Sequence, residues 1–234
     1  MKRSTASEMM DLPGQPREIL TGDLRNLRLF NRYLGNYHNV LRGLARLVFA
    51  HQLRHFTLLD VGTASGDIPG AIVGWARRRG IVARVSALER DPLSAAQASE
   101  QTHAFREISV LRGDGLAPPF GSASFDFVLA SQLLHHFNDD QIIASLRTWA
   151  RLARRGIIIS DLVRHPIAYH GIRFLTKVFA CNAMTRFDAP LSVLRACTIS
   201  EWGALFRRAD VGPVQIERRM PFRVLAVIST GERP

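Results

Sequence analysis

Between Leu58 and Pro69 the chain reads LLDVGTASGDIP, an acidic residue, a turn of small residues and a second acidic residue. Gly62 opens the turn, Ala64 stands at the second glycine position of a G-x-G-x-x-G dinucleotide motif, Gly66 follows, and Asp67 takes the sixth position. A pyrophosphate cradle thus lacks two of its three glycines, and no Lys follows to complete a P-loop. Asp60 and Asp67 flank the turn, and their carboxylates repel an anion and attract a cation. Further along, His135 and His136 adjoin in SQLLHHF, and DLVRHPIAYH carries Asp161, Arg164, His165, Tyr169 and His170. Imidazoles exchange protons near neutral pH, so these two stretches hold the candidates for acid–base work. Cys181 and Cys197 are far apart and form no C-x-x-C pair; both read as reduced core thiols, and no metal site is expected.

The elements that position these residues follow from the hydrophobic period. FTLLDV predicts a buried strand at 56–61, followed by a helix over 66–79 that Gly80 ends. VARVSALE predicts a strand at 82–89, and Pro92 starts the next helix. Strands are expected at ISVLRGD, at 124–131 and at 156–162, with a helix from NDDQ onward between the last two. Alternating strands and helices mean a parallel sheet covered on both faces. The segment 165–184 reads as helix, and TISEWGALFRRAD as an amphipathic helix with a capping box at Ser200. Two strand-like runs around Pro221 predict a closing hairpin. Before the first strand, Leu24, Leu27, Leu34, Leu41, Leu44, Leu47 and Val48 recur at helical spacing, with breaks expected at Gly35 and Gly43. Residues 1–17, with Pro13, Gly14 and Pro16, read as a flexible terminus.

The acidic-x-G-x-x-x-G pattern resembles motif I of the class I S-adenosylmethionine-dependent methyltransferases. The resemblance continues in order through VSALERDP, LRGDG and SFDFVLASQLLHHF, and covers about 55 to 234. It implies a Rossmann-like α/β fold: a seven-stranded, mostly parallel sheet with a C-terminal antiparallel hairpin, helices on both faces and a helical lid at 18–54. The cofactor it implies, S-adenosylmethionine, has a cationic amino-acid end that suits Asp60, and the helix N-terminus is free for its carboxylate. Glu89 would accept the ribose hydroxyls through its two oxygens, and Asp114 the adenine amino group. Gly62, Ala64, Gly66, Arg90, Gly115 and Ser131 complete the expected cofactor set. Ala64 departs from the glycine of many members, and its methyl fits if φ is negative.

The acceptor is less legible. A phenol titrates near 10, so a neighbouring histidine would help its transfer at neutral pH. His165 is the first candidate base and His136 the second, with Tyr33, Tyr37, His135, Arg164 and Tyr169 as substrate contacts. The insertion 163–196 and the N-terminal helices are rich in apolar side chains, which suits a small hydrophobic aromatic substrate. The chain looks similar to quinone methyltransferases and to bacterial methyltransferases of phenolic or polyketide products, which places it in secondary metabolism. The fourth-strand string is ASQL rather than N-P-P-Y, which argues against methylation of nucleic-acid amino groups.

Net charge is +11, yet only Lys2 and Lys177 of the 31 basic residues are lysines, and the arginines are dispersed. A nucleic-acid surface would interleave a basic block with aromatics, so such a partner is not expected. Two other classes stay open: an RNA methyltransferase or RNA-binding protein, and a cyclase-like protein that keeps the fold without methyl transfer. No apolar run reaches the ~18 residues of a spanning helix, and the N-terminus has no signal-like core, so a cytoplasmic location is expected. Oligomeric state is left open.

Overall fold

The computed structural model describes residues 1–179 and 181–231. Seven strands form one sheet: β1 (His55–Val61), β2 (Val82–Glu89), β3 (Ile108–Arg112), β4 (Phe125–Ser131), β5 (Ala153–Leu162), β6 (Val214–Arg219) and β7 (Arg223–Ser229). Their order is β3-β2-β1-β4-β5-β7-β6, and β7 alone runs against the rest. The expected α/β class and closing hairpin are both present. Among the described residues eight α-helices surround the sheet: α1 (Arg17–Tyr33), α2 (Asn36–Ala50), α3 (Asp67–Arg77), α4 (Pro92–Thr102), α5 (Asp139–Leu152), α6 (Pro166–Val178), α7 (Ala183–Arg195) and α8 (Ile199–Ala209).

Successive strand residues point to opposite faces, and the core divides accordingly. Leu59, Val128, Ile157 and Ile159 pack with Trp149 of α5 and Trp202 of α8. Their neighbours Leu58, Phe127, Leu129 and Ile158 pack with Leu44 of α2 and Ile72 of α3. Both faces are covered, which is why β1, β4 and β5 read as continuous apolar runs. The strand order reverses between β1 and β4, and ligands collect beyond the carboxyl ends of strands at such a point.

Four local expectations are corrected. Gly35 separates α1 from α2 as expected, but Gly43 lies inside α2. A Cβ on Gly43 would come within 2.9 Å of Ile158 Cγ2, so this glycine lets the helix approach the sheet. The 165–184 helix is two helices: α6 ends at Val178 and α7 begins at Ala183, capped by Asn182. The capping box of α8 belongs to Thr198 and Glu201 rather than Ser200. Residues 1–17 pack against the body: Met9 N and Met10 N donate to the Asp188 carboxylate at 2.7 and 3.0 Å, and Glu8 is 1% exposed. Among the described residues no helix is long and apolar enough to cross a membrane.

Candidate active site

A cavity of about 380 Å³ opens at the carboxyl ends of β1, β2 and β4. Its lining includes Asp60, Gly62, Ala64, Glu89, Arg90, Asp114, Gly115 and Ser131. The turn after β1 is bolted to β2, since Gly62 N and Thr63 N both donate to Leu88 O, at 2.9 and 3.1 Å. Gly62 has φ +71, and a Cβ there would meet Leu133 Cδ1 at 2.9 Å. Gly66, at the N-cap of α3, completes the turn without lining the cavity.

Asp60 is buried at the base of this turn, and its Oδ2 has no hydrogen-bond partner. Burial pushes its carboxyl up to about 7, and the charges of Asp67 and Glu89 add to the shift. A buried acceptor without a donor costs free energy until something supplies one, so a cationic ligand group fits here. Glu89 lies at the end of β2. Its Oε2 accepts from Ala64 N at 2.8 Å, and its Oε1 from Arg90 N and Asp91 N at 2.8 and 3.0 Å. A carboxylate has about four acceptor positions, so Glu89 holds the turn together with about one position left for a ligand hydroxyl. Burial raises its pKa, opposed by those three backbone donors.

Ala64 does not meet the condition under which its methyl fits freely, for its φ is +51. An L-residue in this region costs about 1–2 kcal/mol. Ala64→Gly removes that cost but makes the unfolded chain more flexible. The expected result is a net gain of about 0.5–1 kcal/mol, read as a higher urea midpoint with an unchanged slope. A variant less stable than the parent would show that the alanine is unstrained.

Asp67 touches the cavity, but other chain segments occupy its carboxylate. Its Oδ2 accepts from Asn31 Nδ2 at 3.0 Å and Tyr37 OH at 2.9 Å, and its Oδ1 from Ser65 Oγ at 3.1 Å. Asn36 Nδ2 donates to Asn31 Oδ1 and Ser131 Oγ, and Ser160 Oγ donates to Asn36 Oδ1. This buried polar network fastens α1 and α2 over the sheet. Asn31 lies on the same helical stripe as Leu20 and Leu24, so a polar residue at an apolar position was the readable signal for it.

A second wall holds the histidines. His135 Nδ1 lies 2.7 Å from Asp161 Oδ1, and His136 Nδ1 lies 2.8 Å from Asp11 Oδ2. Burial pushes the Asp161 carboxyl up, but His135, the Leu162 N–H and the His136 ring outweigh it and hold it below its ordinary range. Asp11 is likewise pushed up by burial and held down on balance by His136. Glu8 approaches both rings, with Oε1 3.7 Å from His135 Nε2 and Oε2 3.8 Å from His136 Nε2. Arg195 of α7 donates to the backbone carbonyls of Ala6, His135 and His136, which ties the N-terminal segment to this wall. Glu8, Asp11 and Arg195 line the cavity and were not legible beforehand, because they arrive from segments remote from the histidines.

The other predicted contacts lie elsewhere. His165 is outside the cavity lining: its Nδ1 caps α6 by accepting from Ile167 N at 3.2 Å, and its ring stacks on Phe222. Arg164 is buried in a structural set, donating to Ala196 O, Glu201 Oε1 and Met1 O. Tyr169 lies beside Arg173 on α6, and Tyr33 is 72% exposed under Arg32. Tyr37 reaches Asp67 but not the cavity. The apolar side chains Ile167, Phe174 and Val178 of α6 face outward, so that part of the insertion does not cover the cavity.

This sheet order, with a glycine turn after β1 and an acidic residue ending β2, defines the Rossmann-like methyltransferase fold. Residues 59–160 match the family model described as methyltransferase domain. No curated protein sequence matches the chain significantly. Human N-acetylserotonin methyltransferase, solved in complex with S-adenosylmethionine, superposes with a TM-score of 0.66 at 15% identity, over 97% of this chain and 64% of its own. An S-adenosylmethionine-dependent methyltransferase from Aquifex aeolicus gives 0.60 at 15% identity, over 92% and 100% of the two chains. The CurJ carbon methyltransferase gives 0.60 at 15% identity, over 82% and 54%. The matched segment is thus similar to a methyltransferase domain, and the chain spans 64% of the length of the relative that was solved with S-adenosylmethionine. The unpartnered Asp60 oxygen and the acidic end of β2 fit that group.

Proposed function

We propose that the protein transfers a methyl group from S-adenosylmethionine to a hydroxyl of a small hydrophobic aromatic acceptor of phenolic, polyketide or quinone type. The observation that carries this reading is one cavity with two chemically different walls. Asp60 and Glu89 line it on the side of the glycine turn, and the Glu8–His135–His136 wall lines it as well. Met10, Leu27, Leu133, Phe137 and Leu162 supply apolar surface between them. The structural relatives that include N-acetylserotonin methyltransferase and a citrinin polyketide synthase methyltransferase domain are consistent with a small acceptor.

When bound, S-adenosylmethionine supplies an electrophilic methyl carbon. Asp60 would hold the cationic amino-acid end, Glu89 a ribose hydroxyl, and the Asp114–Gly115 turn the adenine edge. Arg90 and Ser131 lie along the same lining. The Asp114 carboxylate already accepts from Leu116 N at 2.9 Å, which fixes the turn. A hydroxyl acceptor loses its proton as its oxygen bonds to carbon. The Glu8–His135–His136 wall is the group of proton acceptors in the cavity suited to that loss near neutral pH. Ring carbon as acceptor is the neighbouring alternative on the same wall.

Glu89→Ala is expected to weaken S-adenosylmethionine binding by about 1.5–3 kcal/mol, the scale of a hydrogen bond to a charged group, as measured by calorimetry. Unchanged affinity would remove the ribose assignment. The activity itself is tested with methyl-labelled S-adenosylmethionine and extract of the producing cell, partitioned between organic solvent and RNA. Label in the organic phase is expected. Label in RNA would move the acceptor site to the basic surface, and binding without transfer would favour a cyclase-like role.

A further inference from the structure

We propose that Glu8, His135 and His136 form a binding site for one divalent transition-metal ion of the zinc type, with a coordination position open to the cavity. The sequence reading expected no metal; Glu8 is remote in the chain from the adjacent His135 and His136. In the fold each offers one donor atom, and the three donors lie within 4.8 Å of one another. The Glu8 contacts to the two imidazoles, at 3.7 and 3.8 Å, are too long for hydrogen bonds. Zinc binds imidazole nitrogen and carboxylate oxygen at about 2.0–2.2 Å, so donors that far apart can share one ion.

Three further observations point to a cation. First, Glu8 is 1% exposed and its Oε1 has no hydrogen-bond partner, so a buried carboxylate oxygen is left unsatisfied beside two ring nitrogens. Second, each ring has its other nitrogen on a carboxylate, His135 on Asp161 and His136 on Asp11. A carboxylate partner makes Nδ1 the N–H bearer, and the neutral ring then presents its Nε2 lone pair on the Glu8 side. This carboxylate–histidine arrangement is the one that orients metal ligands and raises their basicity. Third, the carboxylates of Glu8, Asp11 and Asp161 outnumber the guanidinium groups beside them: Arg195, whose Nε is 3.7 Å from Glu8 but donates to the His135 carbonyl, and Arg223, which faces Asp161. With neutral imidazoles the cluster keeps a net negative charge, which favours a cation.

Two imidazoles and one carboxylate form a three-ligand set of the kind that leaves a fourth position free in catalytic zinc sites. All three residues line the cavity, so that position faces the proposed acceptor. With the ion bound, its Lewis acidity would lower the pKa of a bound hydroxyl, whose proton would leave to water and not to these occupied ring nitrogens. Metal binding itself does not depend on which acceptor is methylated, so its test and that of methyl transfer fail separately.

The full chain, stripped with chelator and checked for its fold by circular dichroism, is titrated with zinc ion alone in a calorimeter. Cobalt(II) is then used as a spectroscopic probe. One zinc per chain is expected, with visible cobalt bands and no thiolate charge-transfer band. Glu8→Gln and His136→Gln should abolish stoichiometric binding, while His170→Ala, outside the cluster, leaves it intact. Asp11→Asn, which touches the ion only through His136, should weaken binding about 10–100-fold. Absence of stoichiometric binding by the folded chain, or binding that survives Glu8→Gln and His136→Gln, overturns the proposal. A thiolate band would do the same, by assigning the metal to Cys181 or Cys197.

Discussion

Asp60→Asn is expected to stabilise the cofactor-free protein at pH 8 by about 2–3 kcal/mol while removing most of its affinity for S-adenosylmethionine. Burial holds the Asp60 carboxyl at about 7, against an ordinary value of 3.8. Between those values the folded protein keeps a proton that the unfolded chain has released. Stability therefore falls as pH rises from about 4 to about 7, and the whole cost, about 4 kcal/mol, is present at pH 8. Asparagine cannot ionise and escapes this cost, less the smaller cost of an amide in a site shaped for a carboxylate. Glu8, raised to about 7, and Asp23, raised to about 6, both chiefly by burial, titrate in the same window. The variant should keep the part of the slope that belongs to them. Urea unfolding at pH 4, 6 and 8 checks this: parallel stability curves for parent and variant would remove Asp60 as a cause. Affinity should fall about 10–100-fold, because the variant loses an ionised partner for the cationic end of the ligand.

Asp161→Ala should cost about 3–5 kcal/mol of stability. Asp161 is fully buried and accepts from His135 Nδ1 at 2.7 Å, Leu134 N at 3.0 Å and Leu162 N at 2.7 Å. Its charge also faces Arg223, a buried guanidinium whose pKa burial lowers to about 10 while Asp161 opposes the shift. Alanine leaves those donors and a buried cation without their acceptor. Because the folded pKa of Asp161 lies below its ordinary value, its contribution is present above about pH 4 and lost as pH falls below that. The variant should therefore lose less stability on acidification than its parent. A loss under about 1 kcal/mol at pH 7 would show that water replaces the carboxylate at no great cost.

Much of the glycine-turn side of the cavity was readable in the linear chain. Asp60, Gly62, Ala64 and Glu89 hold positions set by local order: a strand end, a tight turn, the next strand end. A strand ending in an acidic residue before a glycine turn can occupy few places in a parallel α/β sheet, so local pattern and tertiary position coincide. The sign of φ at Ala64 was not readable, because the Glu89 carboxylate that holds its N–H comes from the neighbouring strand.

The histidine side of the cavity was partly misread for a related reason. His165 and His136 look equivalent in sequence, each following a strand. In the fold His165 spends its Nδ1 on the helix behind it, whereas His136 turns to the cavity and meets Asp11 from the N-terminal segment. That segment reads as a flexible terminus because it has no hydrophobic period. It is held by the Asp188 carboxylate and by Arg195, both on α7, and no local rule connects those residues. The sequence by itself determined the sheet, its helices, the glycine turn and the acidic strand ends, since each follows from period and turn chemistry within a few residues. Only the tertiary structure decided which histidines face the cavity and that Glu8 stands between them, because those contacts join chain segments whose separation leaves no trace in local pattern.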